Sequence, residues 1–263
     1  MNAFSNPDLS NLPSTAKGER IYAIGDIHGR YDLMKSLLSM IEDHSAAQNS
    51  RKPARIIILG DMIDRGPDSD KVLRSLRHRA KKDDTTVLLG NHEEMMLRAI
   101  DGEPGVMKAW LRFGGVQTLE SFGVVAPIGD FDQPELIRQI KKAIPQSWIE
   151  WLRTLPVSAK SGDYFFCHAG LRPGVALNRQ SRTDLLWIRD EFLASEEAHG
   201  VVVVHGHSIS PDIELRHNRI GVDTGAYRTG MLTAAYFEGR RCEIMSTIPP
   251  LMPETVDDGL MSR

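Results

Sequence analysis

Cysteine is scarce in this chain. Only Cys167 and Cys242 occur among 263 residues, and Cys167 falls inside an apolar, strand-like run. A disulfide framework is therefore not expected, and a reducing, cytoplasmic setting is. Long hydrophobic runs are also missing. No stretch approaches the roughly 20 apolar residues that span a bilayer, and the N-terminus lacks the basic-then-apolar pattern of a secretory signal. No membrane partner is expected. There is no basic excess either: 32 Lys and Arg stand against 35 Asp and Glu, for a net charge of -3. That balance argues against a nucleic-acid partner. The 41% of hydrophobic residues is enough for a packed core, which excludes global disorder.

What is present is a repeated plan. Five apolar runs end, and polar, metal-capable residues follow at once. Ile21-Tyr22-Ala23-Ile24 leads to Gly25-Asp26-Ile27-His28-Gly29, and Ile56-Ile57-Ile58-Leu59 to Gly60-Asp61-Met62-Ile63-Asp64-Arg65-Gly66. Val87-Leu88-Leu89 leads to Gly90-Asn91-His92-Glu93, Tyr164-Phe165-Phe166 to Cys167-His168-Ala169-Gly170, and Val201-Val202-Val203-Val204 to His205-Gly206-His207. Short runs rich in β-branched residues read as strands buried on both faces. In such sheets ligands collect beyond the carboxyl ends of the strands. Five strands are thus expected to deliver Asp, His and Asn to one edge.

Between the runs, Tyr31 to His44 carries Leu33, Leu37, Leu38 and Ile41 at helical spacing, and Lys71 to Lys81 shows a shorter apolar face. Strand–helix alternation over Arg20 to Leu89 suggests parallel strands joined by crossovers. From Glu94 to Leu155 strand runs vanish, and a helical insertion or cap is expected, with its tryptophans, Trp110 among them, packed in the core. Arg219 to Val222, Met231 to Phe237 and Arg241 to Met245 read as antiparallel strands joined by Gly-containing turns. Lys81-Lys82-Asp83-Asp84 reads as a solvated loop. The expected organisation is one domain over 20–246, a helical insertion over about 100–160, and tails at 1–19 and 247–263.

The chemistry follows from the residue types. Asp26 and His28 are two apart on a short extended segment, so both point the same way. Asp61, Asn91, His168 and His207 follow the next four runs. The donors are oxygen and imidazole without thiolate, which suits manganese, iron or zinc and not a Cys-type structural site. Their number exceeds what one structural zinc takes, so two cations sharing the Asp61 carboxylate are expected. Four positive charges against two carboxylates leave room for a hydroxide and a phosphate. Arg65 lies four residues after Asp61, and its planar fork can hold two phosphate oxygens. His92 directly follows Asn91. With Asp64 fixing its tautomer, it is expected to donate a proton to the leaving oxygen.

In order, these blocks resemble the signatures of the phosphoprotein phosphatase family within the calcineurin-like metallophosphoesterases, over about Arg20 to Ala235. The resemblance implies an α/β fold: a four-layer sandwich of two mixed β-sheets flanked by helices, with a helical cap insertion. It implies that Asp26, His28 and Asp61 hold one metal, and that Asp61, Asn91, His168 and His207 hold the other. Manganese is the first expectation. Leu185-Leu186-Trp187-Ile188-Arg189 resembles a segment supplying a second phosphate-binding arginine, so Arg189 joins Arg65, with Arg182 a nearby competitor.

Ile209 stands where many metallophosphoesterases outside this branch carry a further His. Val222-Asp223-Thr224-Gly225 is similar to bacterial diadenosine tetraphosphatases, yet Asp64 and Glu93 side with the phosphatases. Asp223 itself is read as a turn residue. The implied activity is that of a serine/threonine protein phosphatase of small bacterial or phage type. A metal-bridging hydroxide would attack, and His92 would act as general acid on a phosphorylated protein or small phosphoester. The alternatives are a bis(5'-nucleosyl)-tetraphosphatase and, more remotely, a non-catalytic phosphate-binding module.

Overall fold

The computed structural model describes residues 12–48, 54–81 and 84–247. Most of the expected tails, 1–11 and 248–263, lie outside the described residues, as do Lys82 and Asp83 of the expected loop. Residues 12–19 are tied to the body. Thr15 N–H donates to Gly239 O at 3.0 Å and Ser14 N–H to the Asp163 carboxylate at 2.9 Å.

The first sheet contains β1 (Arg20–Ile24), β2 (Arg55–Ile58), β3 (Thr85–Val87), β9 (Thr233–Glu238) and β10 (Arg241–Ser246), in the order β10-β9-β1-β2-β3. Pairs β1–β2 and β2–β3 are parallel, while β9 runs antiparallel to both β1 and β10. The second sheet contains β4 (Ser158–Ser161), β5 (Tyr164–Cys167), β6 (Val202–His205), β7 (Glu214–Leu215) and β8 (Arg219–Gly221), in the order β4-β5-β6-β8-β7. Both sheets are mixed. The five strand ends therefore come from two sheets, three from the first and two from the second, where the apolar runs alone had suggested a single edge. Another difference concerns β8. It pairs parallel with β6 and antiparallel only with the two-residue β7, so the expected all-antiparallel final third holds for β9 and β10 alone.

Alternation along the strands builds the layers. Ile21, Ala23, Ile57 and Leu59 face Tyr164, Phe166, Val202 and Val204 across the sandwich. Tyr22, Ile24, Ile56 and Ile58 face outward onto helices α1 (Tyr31–Ala47), α2 (Ser69–Arg79) and α3 (Asn91–Ile100). On the far side Phe165, Cys167 and Val203 pack under α8 (Arg182–Trp187) and α9 (Asp190–Leu193) through Leu185, Ile188 and Phe192. Helix, sheet, sheet and helix make four layers.

The insertion consists of α4 (Val106–Trp110), a π-turn at Leu111–Gly115, α5 (Val116–Ser121), α6 (Gln133–Ala143) and α7 (Gln146–Arg153). It joins the outer core through Met107, Trp110, Leu119, Ile140 and Leu152. A last short helix, α10 (Ala226–Thr229), follows β8. Cys167 is buried and Cys242 exposed, and both are free. No described helix is long and apolar enough to cross a membrane.

Candidate metal centre

The loops after β1, β2, β3, β5 and β6 meet at one end of the sandwich. Among the described residues, five other than glycine have positive φ: His28, Asp61, Asp64, Arg65 and His207. All five belong to this meeting point. Strain of that kind persists where surrounding structure over-determines it. Two glycines allow the close approach. A Cβ on Gly90 would lie 2.2 Å from Asp61 N and Oδ1, and one on Gly206 would lie 2.2 Å from Asp26 Oδ1.

Two compact groups of buried donors share one carboxylate: His28, Asp61 and His92, and Asp61, His168 and His207. Asn91 joins the second, its Oδ1 being 2.8 Å from His168 Nε2. Asp26 lies in the same buried pocket but not in the first tight trio. Its carboxylate accepts the His207 N–H at 3.1 Å and stands 3.9 Å from His168 Nδ1. The first trio thus contains His92 where the resemblance had named Asp26.

Tautomers are set by backbone carbonyls. His28 Nδ1–H donates to Ile63 O at 2.8 Å, and His168 Nδ1–H to Leu59 O at 2.9 Å. Both rings therefore present a bare Nε2 to the cluster, as metal-ligating histidines do. Burial keeps these imidazoles neutral, pushing His28 down to about 3 and lowering His168 as well. Burial opposes charge on Asp61 too, but the charges that His168, His92, His28 and His207 take up in acid outweigh it, so the carboxyl stays far below its usual range. Asp26 is pushed well up by burial and by the Asp223 and Asp61 carboxylates beside it.

The donor set passes a direct test of fit for divalent cations. His207 Nε2 is buried and has no hydrogen-bond partner. Across the ring, His207 Nδ1 stands 3.2 Å from the bare His168 Nε2, which also lies 2.8 Å from Asn91 Oδ1, and acceptor atoms crowded together in a buried pocket are costly unless a cation lies between them. Neutral imidazoles, an amide oxygen and carboxylates are the donors such a cation takes.

Asp64 and His92 form a buried pair, with His92 Nδ1–H donating to Asp64 Oδ2 at 2.6 Å. Burial opposes the imidazolium, but Asp61 and the Asp64 hydrogen bond outweigh it, so the His92 pKa is raised. Arg65 donates to His28 Nε2 at 2.9 Å and His92 Nε2 at 3.0 Å, with its guanidinium 4.7 Å over the Tyr227 ring.

The two competing arginines part company. Arg182 is tied to Glu94, Nε to Oε1 at 2.9 Å. Arg189 lies at the exposed edge, close enough for its charge to lower the pKa of His168 and His207 after burial has done most of that. It lines a cavity of about 370 Å³ with Trp187 and Thr183.

Several participants were not assigned from sequence. Glu93 is fully buried and accepts the N–H groups of Asp61, Met62, Ile63 and Gly90. Asp223 does act in a turn, accepting the Gly225 N–H at 2.9 Å, but its carboxyl also faces Asp26, and burial pushes it up to about 6. The strand-end rule itself pointed there, since Asp223 follows the apolar run Ile220 to Val222. Trp110 is buried, as core packing requires, yet its Nε1–H reaches Asp64.

A family model of calcineurin-like phosphoesterases matches residues 19–234. The chain belongs to this family, a family of hydrolases that use divalent metals. It is 29% identical over 221 residues to serine/threonine-protein phosphatase 2 of Escherichia coli (strain K12), spanning 81% of this chain and 90% of that one. It is 24% identical over 247 residues to the asymmetrical bis(5'-nucleosyl)-tetraphosphatase PrpE of Halalkalibacterium halodurans, spanning 88% and 95%. A structure titled as that of a candidate diadenosine tetraphosphatase superposes with a TM-score of 0.62 at 20% identity, covering 90% of this chain and 99% of the other. That last likeness concerns the fold alone.

Proposed function

We propose that this protein hydrolyses phosphate monoesters, with phosphoserine or phosphothreonine of proteins as the substrate class. The carrying observation is the Asp64–His92 pair at 2.6 Å, buried beside the donor cluster. A serine alkoxide is a strongly basic leaving group and needs a proton as the P–O bond breaks. A binding module needs no such acid. The relative at 29% identity named as a protein phosphatase supports the same reading.

In this reading Asp26, His28 and Asp61 would hold one cation, and Asp61, Asn91, His168 and His207 the other. The absence of thiolate favours manganese, with iron or zinc also compatible. When bound, the cations supply Lewis acidity toward phosphoryl oxygens and lower the pKa of water. The chain does the rest. Arg65 and Arg189 grip phosphate oxygens and orient phosphorus. A phosphate that draws the Arg65 guanidinium to itself frees His92 Nε2, which then carries the proton to the leaving oxygen while Asp64 steadies the imidazolium through Nδ1–H. Monoester hydrolysis is among the slowest uncatalysed reactions, so electrostatic grip and proton donation must act together.

Hydrolysis of dinucleoside polyphosphates is the second reading. The tetraphosphatase relative that aligns along 88% of the chain favours it. A nucleotide leaving from an anhydride is a weaker base and depends less on His92. The test is His92→Asn across phosphate esters of graded leaving-group basicity. The loss expected is about 10²–10⁴-fold for alkyl phosphates and much smaller for nitrophenyl phosphate. An equal loss across the series would remove His92 from the acid role.

A further inference from the structure

The loop that carries the acid's partner is strained. Asp64 has φ 73° and Arg65 φ 68°. Something must hold two successive non-glycine residues in the left-handed region. Ser69 at the start of α2 accepts the Asp64 N–H on Oγ at 3.1 Å, and the other holders come from the helical insertion. Thr118 in α5 accepts the Asp64 N–H on Oγ1 at 2.9 Å and donates the same hydroxyl to Asp64 Oδ1 at 2.6 Å. Trp110, at the end of α4, points Nε1–H at both carboxylate oxygens, 3.1 and 3.0 Å away. Gly114 O accepts the Arg65 N–H at 3.1 Å. Asp64, Trp110 and Thr118 are all fully buried. The Trp110 ring lies so close over Gly115 that a Cβ there would come within 2.6 Å of it. An indole present only to fill space has no reason to aim its single polar atom at a carboxylate.

We propose that Trp110 and Thr118 are positioning residues for proton donation. They fix both oxygens of Asp64 so that its Oδ2 stays on His92 Nδ1, and the insertion thereby sets the efficiency of the acid. This rests on the general-acid role of His92 given above. His92 alone touches the leaving oxygen; Trp110 and Thr118 act through Asp64. A carboxylate freed from these donors can rotate or shift, and the imidazolium then loses its fixed orientation.

The experiment compares Trp110→Phe, Thr118→Val, Thr118→Ser and His92→Asn in the full-length, manganese-loaded protein. Each is assayed on phosphoserine peptide and nitrophenyl phosphate, and the low-field imidazole N–H proton resonances are recorded on the same variants loaded with diamagnetic zinc, since manganese would broaden them away. Trp110→Phe and Thr118→Val are expected to lower kcat on the phosphopeptide by about 10-fold or more, a part of the general-acid factor. KM should hold, nitrophenyl phosphate turnover should change little, and the His92 Nδ1–H resonance should shift. Thr118→Ser, which keeps the hydroxyl, should restore wild-type behaviour. If Trp110→Phe does not fold, the Thr118 pair decides alone. Uniform losses on both substrates, or none, with His92→Asn still showing its leaving-group trend, would overturn the positioning role and leave the general acid standing. No trend in His92→Asn would remove both.

Discussion

Glu93 holds Asp61 from beneath. Its Oε2 accepts the Asp61 N–H at 3.1 Å and the Gly90 N–H at 2.9 Å, while Oε1 accepts from Met62 and Ile63. One buried carboxylate thereby ties the loop after β2 to the first turn of α3, and so sets Asp61 against Asn91 and His92. Glu93→Gln would turn an amide toward two N–H donors. The expected result is a manganese affinity weaker by about 10–100-fold with the leaving-group trend intact. Unchanged affinity in a calorimetric titration would show that the loop holds itself.

Asp61 is the only carboxylate common to both donor groups. Asp61→Asn should weaken both cations, because a neutral amide bridges poorly and removes a compensating charge. Wild-type protein should carry two metals per chain by elemental analysis. One metal per chain, unresponsive to added manganese, would contradict a binuclear centre.

Arg189 and Arg182 should separate cleanly. Arg182 is engaged with Glu94 at an exposed site, a pair of the kind worth little to stability. Arg182→Ala should leave kcat/KM within about two-fold of wild type, whereas Arg189→Ala, which would remove the proposed charge-assisted grip on phosphate, should lower it by about 10-fold or more. The reverse order would move the second phosphate contact to Arg182.

Away from the centre, Asp184 gives a pH test. Its hydrogen bond to the Arg172 guanidinium, 2.6 Å from Oδ1, is the main cause of a pKa below the ordinary 3.8, helped by the Ser181 hydroxyl. A depressed carboxylate stabilises the fold fully above its unfolded pKa and loses that contribution as pH falls through the folded value. Asp184→Asn should therefore lower the melting temperature between pH 5 and 7, and the difference should shrink below about pH 4. A difference that grows on acidification would assign the effect elsewhere.

Much of this centre was legible from sequence, because apolar strand runs and the polar residues just past them survive any detail of packing. The partition of strands between sheets was not. Ile21 and Ala23 face the other sheet while Tyr22 and Ile24 face helices, and all four are apolar. A strand buried on both faces carries no mark of its neighbours. The edge strand β4, Ser158–Ser161, has no apolar run and left no signal. Trp110 was legible as a core residue, which it is. Its link to Asp64 depends on where one N–H points, and residue type does not encode that. Glu93 could have been found as a glutamate at the third position of a helix opened by Gly90, a pattern that caps helix N-termini.

In the proposed reading, proton donation by His92, supported by Asp64, fits this enzyme to basic leaving groups. The measurement that tests it most directly is the ratio of kcat/KM for a phosphoserine peptide to that for diadenosine tetraphosphate, at saturating manganese. The ratio is expected to lie well above one, and Asp64→Ala should bring it down by lowering the numerator. A ratio well below one, with the tetraphosphate activity nearly intact in Asp64→Ala, would contradict the claim and identify an anhydride as the substrate.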